Sequence, residues 1–359
     1  MTVGLRAPTT SSPRRATATR LATMTVATHR RYGPPEVLEI TRLPVPTPAA
    51  GQVLVRVAAA ALNPSDVFLM LGRPAAVRLM TGLRRPSARH QVRGQDLAGT
   101  VEAVGAGVTQ LKAGDRVFGS SDGALAEYAC VSEKSLAPMP ARLSFEHAAA
   151  IPMAGLAALH GLRDAARLVA GQHLLVNGAS GGIGTFAIQI AKGMGAEVTA
   201  VCSGANVELV RELGADRVID YTAHPLTEGA GRYDVILDNV ANHSLGTMRR
   251  LLAPTGTLLT NSGEVGPDGG PIVRILKALG HSMRSSQKVK TFLSTPNRDD
   301  LAILASMADA GEITPVIDRV YPLEQAVEAM ARVASRRARG KVVVVVAPKA
   351  DALGARPSG

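Results

Sequence analysis

The residues with the clearest chemical content run from Leu174 through Val176-Asn177-Gly178-Ala179-Ser180-Gly181-Gly182-Ile183-Gly184, followed by Thr185 to Lys192. An apolar run, a cluster of glycines and an amphipathic pattern predict a buried strand, a tight turn and a helix in succession. That order aims the free N–H groups of a helix N-terminus at an anion, typically the pyrophosphate of a dinucleotide. Ala179, Gly181 and Gly184 fill the G-x-G-x-x-G positions. Ser180, Gly181, Gly182, Ile183 and Gly184 are therefore the candidate phosphate cradle. A second chemistry fits the same residues, because Gly178-Ala179-Ser180-Gly181-Gly182 also satisfies the G-x-S-x-G nucleophile elbow of hydrolases. Asp238 and His243 or His281 come later, in the order a serine hydrolase needs. The elbow leaves Gly184 unexplained, so dinucleotide binding leads and a serine hydrolase is the alternative of another class.

The strand after this helix bears on the cofactor. Ala196 to Cys202 reads as that strand, and Ser203 lies where an acidic residue would bind the adenosine ribose of NAD. No Asp or Glu occurs before Glu208. A small hydroxyl residue leaves room for a 2′-phosphate, which favours NADPH, although no Arg or Lys lies between Ser203 and Val210. Asn239 and Val240 come after a strand ending at Asp238, and Ser262 after the next strand. All three are expected at the carboxyl edge of the sheet, facing the cofactor.

These residues need a scaffold, and the pattern supplies an α/β one. From Met24 to about Pro140, short strand-like runs broken by Gly and Pro suggest a small barrel or sandwich. From Phe145, helical stretches alternate with strands at 174–177, 197–202, 217–220, 233–238, 256–260 and 287–294. Such alternation predicts a doubly wound parallel sheet. A helix to about Ala310, a strand at 316–320, a helix at 323–336 and a strand at 342–346 do not extend it simply. They are expected to return to the first unit.

Bulk properties narrow the function classes. The 359 residues carry a formal charge of +11, and Arg6, Arg14, Arg15 and Arg20 supply four of those charges in a segment without acids. Only 3% of residues are aromatic and none is Trp, so base-stacking platforms are scarce and nucleic acid is disfavoured. The Arg332, Arg336, Arg337, Arg339 and Lys341 cluster suits a solvated face or a site near the cofactor phosphates. Two cysteines, Cys130 and Cys202, argue against a disulfide framework and fit a reducing cytoplasm. No apolar run is long enough to span a bilayer, so no membrane role is expected.

Several motifs in order resemble the medium-chain dehydrogenase/reductase superfamily, in its zinc-independent quinone oxidoreductase-like NAD(P)-dependent group. They are Tyr32-Gly33-Pro34-Pro35-Glu36-Val37-Leu38, Asn63-Pro64-Ser65-Asp66, Gly94-Gln95-Asp96-Leu97-Ala98-Gly99-Thr100-Val101 and Gly114-Asp115-Arg116-Val117. Leu143 to Leu162, Leu213-Gly214-Ala215-Asp216, Asp220-Tyr221-Thr222 and Arg339-Gly340-Lys341-Val342 complete the series. The resemblance implies a GroES-like β-barrel domain joined to a Rossmann-type doubly wound parallel sheet, a cleft between them and a homodimer. It divides the chain into 1–23, a basic extension expected to be disordered or to precede a true start at Met24; 24–146, the GroES-like catalytic domain; 147–295, the Rossmann NADPH-binding domain; 296–347, returning to the catalytic domain; and 348–359, a disordered tail. It also implies that Asn63 and Asp66 serve catalysis. Ser203, Asn206 and Tyr221 match positions that meet the 2′-phosphate, and Lys341 joins the cofactor-binding set.

A catalytic zinc needs three protein ligands. Zinc-dependent relatives use Cys at the active-site turn and His-Glu in the glycine signature, whereas Asn63, Ser65, Gln95 and Asp96 stand here. No metal and no zinc are therefore expected. Without a Lewis acid, hydride transfer to a quinone or to the C=C of an α,β-unsaturated carbonyl suits the site, since the developing enolate needs only hydrogen-bond donors. An NADP-dependent alcohol dehydrogenase or carbonyl reductase is the nearest alternative, and a non-catalytic NADPH-binding protein a further one. The partner in every enzymatic case is a small-molecule quinone, enone or carbonyl compound.

Overall fold

Glycine and proline cut the first third of the chain into short strands, as the computed structural model shows. It describes residues 23–75, 77–227, 231–261, 267–269, 273, 277 and 285–346. The expectations for residues 1–22, Ser262, His281 and the tail beyond 346 lie outside the described residues. Strands β1 (Met24–Thr28) and β2 (Glu39–Leu43) pair antiparallel with one another. Strand β3 (Gln52–Leu62) is the longest, and Val53, Val55 and Val57 bury alternate side chains in the core beneath it. It leads through Asn63 into helix α1 (Pro64–Leu71), which begins on a proline and ends at Gly72 in the left-handed conformation. Helix α2 (Val77–Thr81) precedes β4 (Asp96–Val104), β5 (Arg116–Ser120), β6 (Tyr128–Ser132) and β7 (Leu136–Pro138). β4 and β6 flank β3 antiparallel, and β5 and β7 continue beyond β4.

The segment from Leu143 to Leu162 contains two helices. Helix α3 (Phe145–Ala149) stops, and α4 (Pro152–Leu159) starts on Pro152, which has no N–H to continue a ladder. Beyond Leu159 the backbone widens into a π-helical turn, His160–Ala166, closed by Arg167 at φ 57°.

A parallel sheet comes next: β8 (His173–Asn177), α5 (Gly182–Gly193), β9 (Glu197–Cys202), α6 (Val207–Glu212), β10 (Arg217–Asp220), β11 (Tyr233–Asp238), α7 (Leu245–Arg250), β12 (Leu252–Thr260) and β13 (Lys288–Thr291). Its strand order is β10-β9-β8-β11-β12-β13, so the order reverses between β8 and β11. That switch point leaves a crevice at the carboxyl ends of the two strands. Period-two alternation feeds both faces: Leu174 and Val176 join Phe186 and Ala187 of α5, while Leu175 joins Ile236, Met248 and Leu258.

The chain then returns. After α8 (Arg298–Ala310) come β14 (Ile317–Pro322), α9 (Ala326–Ala334) and β15 (Lys341–Val345). β15 pairs antiparallel with β3, Val342 opposite Leu62, and β14 runs parallel beside it. Several boundaries differ from the sequence reading. A 3₁₀ turn, Leu323–Gln325, precedes α9, and β15 begins one residue earlier, at Lys341. That single residue matters, because it seats Lys341 inside the sheet beside the glycine turn.

Candidate active site

The turn after β8 is built from glycines with distinct duties. Gly178 has φ +80°, and a Cβ there would lie 2.7 Å from Val240 Cγ2. A Cβ on Gly184 would fall 2.3 Å from the Gly178 carbonyl and 2.6 Å from that of Ala179, so α5 packs directly on the strand end. Gly181 caps α5, and a Cβ there would meet only the Gly178 carbonyl, at 3.4 Å. Its open side leaves backbone exposed to an approaching anion. The close packing thus falls on Gly184, the last position of the G-x-G-x-x-G pattern, and the positive φ on Gly178, which lies outside that pattern.

The carboxyl edge of the sheet is braced from beneath. Asn177, buried at the end of β8, donates its Nδ2 to Asp238 Oδ1 and to Asn242 Oδ1, each at 2.9 Å. Asp238 Oδ1 also accepts the Val240 and Ala241 N–H groups, at 3.2 and 3.0 Å. This fixes the loop that carries Asn239 and Val240 over Gly178. Asn239 Nδ2 is buried without a hydrogen-bond partner.

The far end of the crevice gathers three polar side chains. Asn206 donates its Nδ2 to Ser180 Oγ and to Ser203 Oγ, both at 3.1 Å. Asn206 Oδ1 is likewise buried and unpartnered. Two orphaned polar atoms beside an open glycine turn fit a nucleotide, whose ribose and amide groups can meet them. Tyr221 stands half exposed next to Asp220. The Asp220 carboxylate packs against Gly204, where a Cβ would approach Oδ2 to 2.6 Å. Thr222 donates to it from its N–H and hydroxyl, at 2.9 and 2.6 Å, and holds its pKa below the usual carboxylate range. The sequence reading quoted Asp220 only within a family motif and gave it no role beside Ser203, because it arrives from β10 rather than from the strand before Ser203.

The other wall comes from the barrel. Asn63 Nδ2 donates to Asp96 Oδ2 at 2.9 Å, and the Lys341 ammonium donates to Asp96 Oδ2 at 3.0 Å and to Asn63 Oδ1. Asp96 Oδ1 accepts from Ser120 Oγ and from the Met153 N–H, at 3.0 and 3.1 Å. The side chains of this group are buried. The Lys341 stem lies over the glycine turn, so that a Cβ on Gly182 would meet its Cδ at 3.1 Å. Next to it, Gly340 donates its N–H to the Ser180 carbonyl at 2.8 Å and forms a parallel bridge with Gly181.

Asp66 faces inward. Its Oδ2 accepts the Asn63 N–H at 2.9 Å and its Oδ1 the Gly94 N–H at 3.1 Å. Burial pushes its pKa up to about 7, against the opposing pull of the Asn63 hydrogen bond and of Arg93. Asp66 thus fastens the start of α1 to the glycine signature, as a helix cap does. Arg93 itself is buried, with Nε unpartnered and its pKa lowered by burial. Ser65 donates its hydroxyl to Gln95 Oε1. No group of three or more His, Cys, Asp or Glu side chains among the described residues could hold a metal ion.

The geometry speaks against the nucleophile elbow. Ser180 Oγ accepts from Asn206, and Asp238 is committed to Asn177 and the loop N–H groups. No described histidine hydrogen-bonds the serine hydroxyl, so the proton relay a hydrolase requires is not assembled among the described residues.

Comparison with known proteins agrees with this architecture. Residues 49–141 match the alcohol dehydrogenase GroES-like domain, and residues 213–344 the zinc-binding dehydrogenase family. Over 326 residues the chain is 32% identical to the chloroplast envelope quinone oxidoreductase homolog of Arabidopsis thaliana, covering 86% of this chain and 93% of that protein. It is also 32% identical, over 332 residues, to the NADPH-dependent alkenal/one oxidoreductase, chloroplastic, of the same plant, covering 88% and 78%. Among solved structures, the quinone oxidoreductase from Coxiella burnetii superposes with a TM-score of 0.79 at 28% identity, over 90% of this chain and 100% of that one.

Proposed function

We infer, because this chain belongs to the medium-chain dehydrogenase/reductase superfamily and to its quinone oxidoreductase-like group, that it reduces a quinone or the C=C of an α,β-unsaturated carbonyl with NADPH. Oxidoreductase activity and a nicotinamide cofactor follow from its relatives. The preference for NADPH and the substrate class are the proposal. When bound, the nicotinamide supplies the hydride.

The observation that carries the reading is the glycine turn at the switch point, flanked by the buried, unpartnered Asn206 Oδ1 and Asn239 Nδ2. Ser180 to Gly184 hold the pyrophosphate on the α5 N-terminus. Ser203 and Asn206, with Tyr221 beside them, take the 2′-phosphate end. Arg319 and Arg339 line a cavity of about 490 Å³ together with Leu209 of α6 and the Arg332–Asp318 ion pair. Asn239 and Val240 are assigned to the carboxyl edge.

We propose no zinc in the reaction. Asp96 is saturated by Lys341, Asn63, Ser120 and Met153, and Ser65 is bound to Gln95, so the positions that could ligate are occupied in holding the wall together. Asn63 and Asp66 accordingly position the active-site turn, and Lys341 supports the glycine turn from behind. Chain segments 24–146 and 296–347 form the catalytic unit, and 147–295 the cofactor unit. β13 is the last strand of the parallel sheet among the described residues, and we propose that the chain forms a homodimer.

Titrating the protein with NADPH and NADH by fluorescence, then following cofactor oxidation over quinones, enones and aldehydes, tests the reading. Tighter NADPH binding with turnover of quinones or enones is expected. Tighter NADH binding overturns the role of Ser203, and turnover of aldehydes alone would favour a carbonyl reductase.

A further inference from the structure

Between Asp66 and Asp96 the chain contains no acidic residue and six arginines: Arg73, Arg78, Arg84, Arg85, Arg89 and Arg93. The same segment carries the most concentrated apolar exposure among the described residues. Leu79 is 75% exposed, Met80 83% and Leu83 68%. Arg73, Arg84, Arg85 and Arg89 are exposed around them.

This protrusion is built rather than loose. Thr81 is buried, and the Tyr32 hydroxyl lies 2.7 Å from Thr81 Oγ1 and donates to the Gly82 carbonyl at 2.6 Å. Arg78 donates its Nε to the Gly72 carbonyl at 3.1 Å and stacks its guanidinium 4.8 Å over the Tyr32 ring. Backbone bonds from Gly82 to Arg78 and from Ser87 to Thr81 close the turn. One face is therefore anchored to the barrel, and Leu79, Met80 and Leu83 are held outward.

We propose that this protrusion docks on an anionic lipid bilayer. Leucine and methionine side chains enter the headgroup–acyl boundary, and arginines around them meet the lipid phosphates while their stems stay at the interface. A second copy of the same surface is the wrong occupant, since a self-complementary contact would bring arginine against arginine. A polynucleotide would gain nothing from the three apolar side chains, and residues 69–95 contain no Phe, Tyr or Trp for base stacking. Such peripheral docking needs no spanning helix, and no helix among the described residues is long and apolar enough to be one.

The test uses the full chain with extruded vesicles, either phosphatidylcholine alone or phosphatidylcholine with phosphatidylglycerol, separated by flotation. The protein should float with the anionic vesicles, remain behind with the neutral ones, and release at high salt. Both L79S/M80S/L83S and R84Q/R85Q/R89Q should bind anionic vesicles at least about tenfold more weakly, with melting temperatures unchanged. Failure of the unaltered protein to float overturns the proposal. So does unaltered binding by both variants, which would assign the effect to the basic residues before Met24. Capture by polyglutamate but not by vesicles would instead make the surface an acidic-protein site and also overturn it.

Discussion

Lys341 reaches from β15 to place its ammonium 3.0 Å from Asp96 Oδ2, in a pocket that leaves the lysine almost wholly buried and the aspartate entirely so. The pair joins β15 and β4, the strands on either side of β3, and the lysine stem simultaneously backs Gly182. Removing water from two charges is costly, and the attraction offsets that cost only when the remaining valences are filled. Here Asn63, Ser120 and the Met153 N–H fill them. The segment leading into β14 is tied to α5 by a further pair of bonds, Gln189 Nε2 to the Thr314 carbonyl and the Thr314 N–H to Gln189 Oε1. The glycine turn and the barrel wall are thereby held together.

Lys341→Met should lower stability by about 3–5 kcal/mol, because it leaves Asp96 buried and uncompensated. The double variant Lys341→Met/Asp96→Asn should recover part of that loss. Urea unfolding followed by circular dichroism on the three proteins measures both effects, and additive losses would show that the two residues act independently.

Adding a methyl group at Gly184 should weaken NADPH binding by about tenfold or more. The new Cβ would sit 2.3 Å from the Gly178 carbonyl and push α5 off the strand end, with a packing cost of about 1–3 kcal/mol. Gly171→Ala is a useful control: its φ is positive, at +79°, but nothing lies within 4 Å, so it should lose stability without a comparable loss of cofactor affinity.

The cofactor end should be switchable. Ser203→Asp places a carboxylate where it can accept a ribose hydroxyl and repel a 2′-phosphate. The ratio of NADH to NADPH affinity should rise about tenfold or more, equivalent to roughly 1.4 kcal/mol. Asn206→Lys should shift the ratio the other way. Paired fluorescence titrations read both, and an unchanged ratio in both variants would remove Ser203 and Asn206 from cofactor recognition.

Asp66 should make stability fall as pH rises from about 4 to 7. Its folded pKa, about 7, lies above the unfolded value of 3.8, so the folded state binds more protons across that window. The contribution is fully present below the unfolded pKa and is lost as the pH passes the folded one. Asp66→Asn does not titrate. Thermal melts at a series of pH values should therefore show a declining difference between wild type and variant, completed a little above pH 7.

Much of the fold was legible in the sequence, because period-two runs in the parallel sheet are short, apolar and bounded by glycine. The strands at 197–202, 217–220 and 233–238 fall at the residues the pattern gives. The break before Pro152 and the π-helical turn after Leu159 were obscured by a continuous Ala- and Leu-rich run that suits one helix equally well. At the site, local spacing identified the glycine turn and Ser203. It could not reveal that Lys341 meets Asn63 across 278 positions of sequence, or that Asp220 reaches Gly204 from a neighbouring strand. The resemblance implied a catalytic role for Asn63 and Asp66, and no local spacing revealed the hydrogen bonds they make to Asp96, Lys341 and the Gly94 N–H.

The central claim is that this cleft uses NADPH to reduce a conjugated carbonyl compound or a quinone. Following the loss of reduced-nicotinamide absorbance with NADPH and NADH in parallel, over matched quinones, enones and their saturated carbonyl counterparts, tests it most directly. Faster oxidation of NADPH with the quinones or enones, and little with the saturated carbonyls, is the predicted result. Preference for NADH, turnover confined to saturated carbonyls, or no oxidation with any acceptor would contradict it.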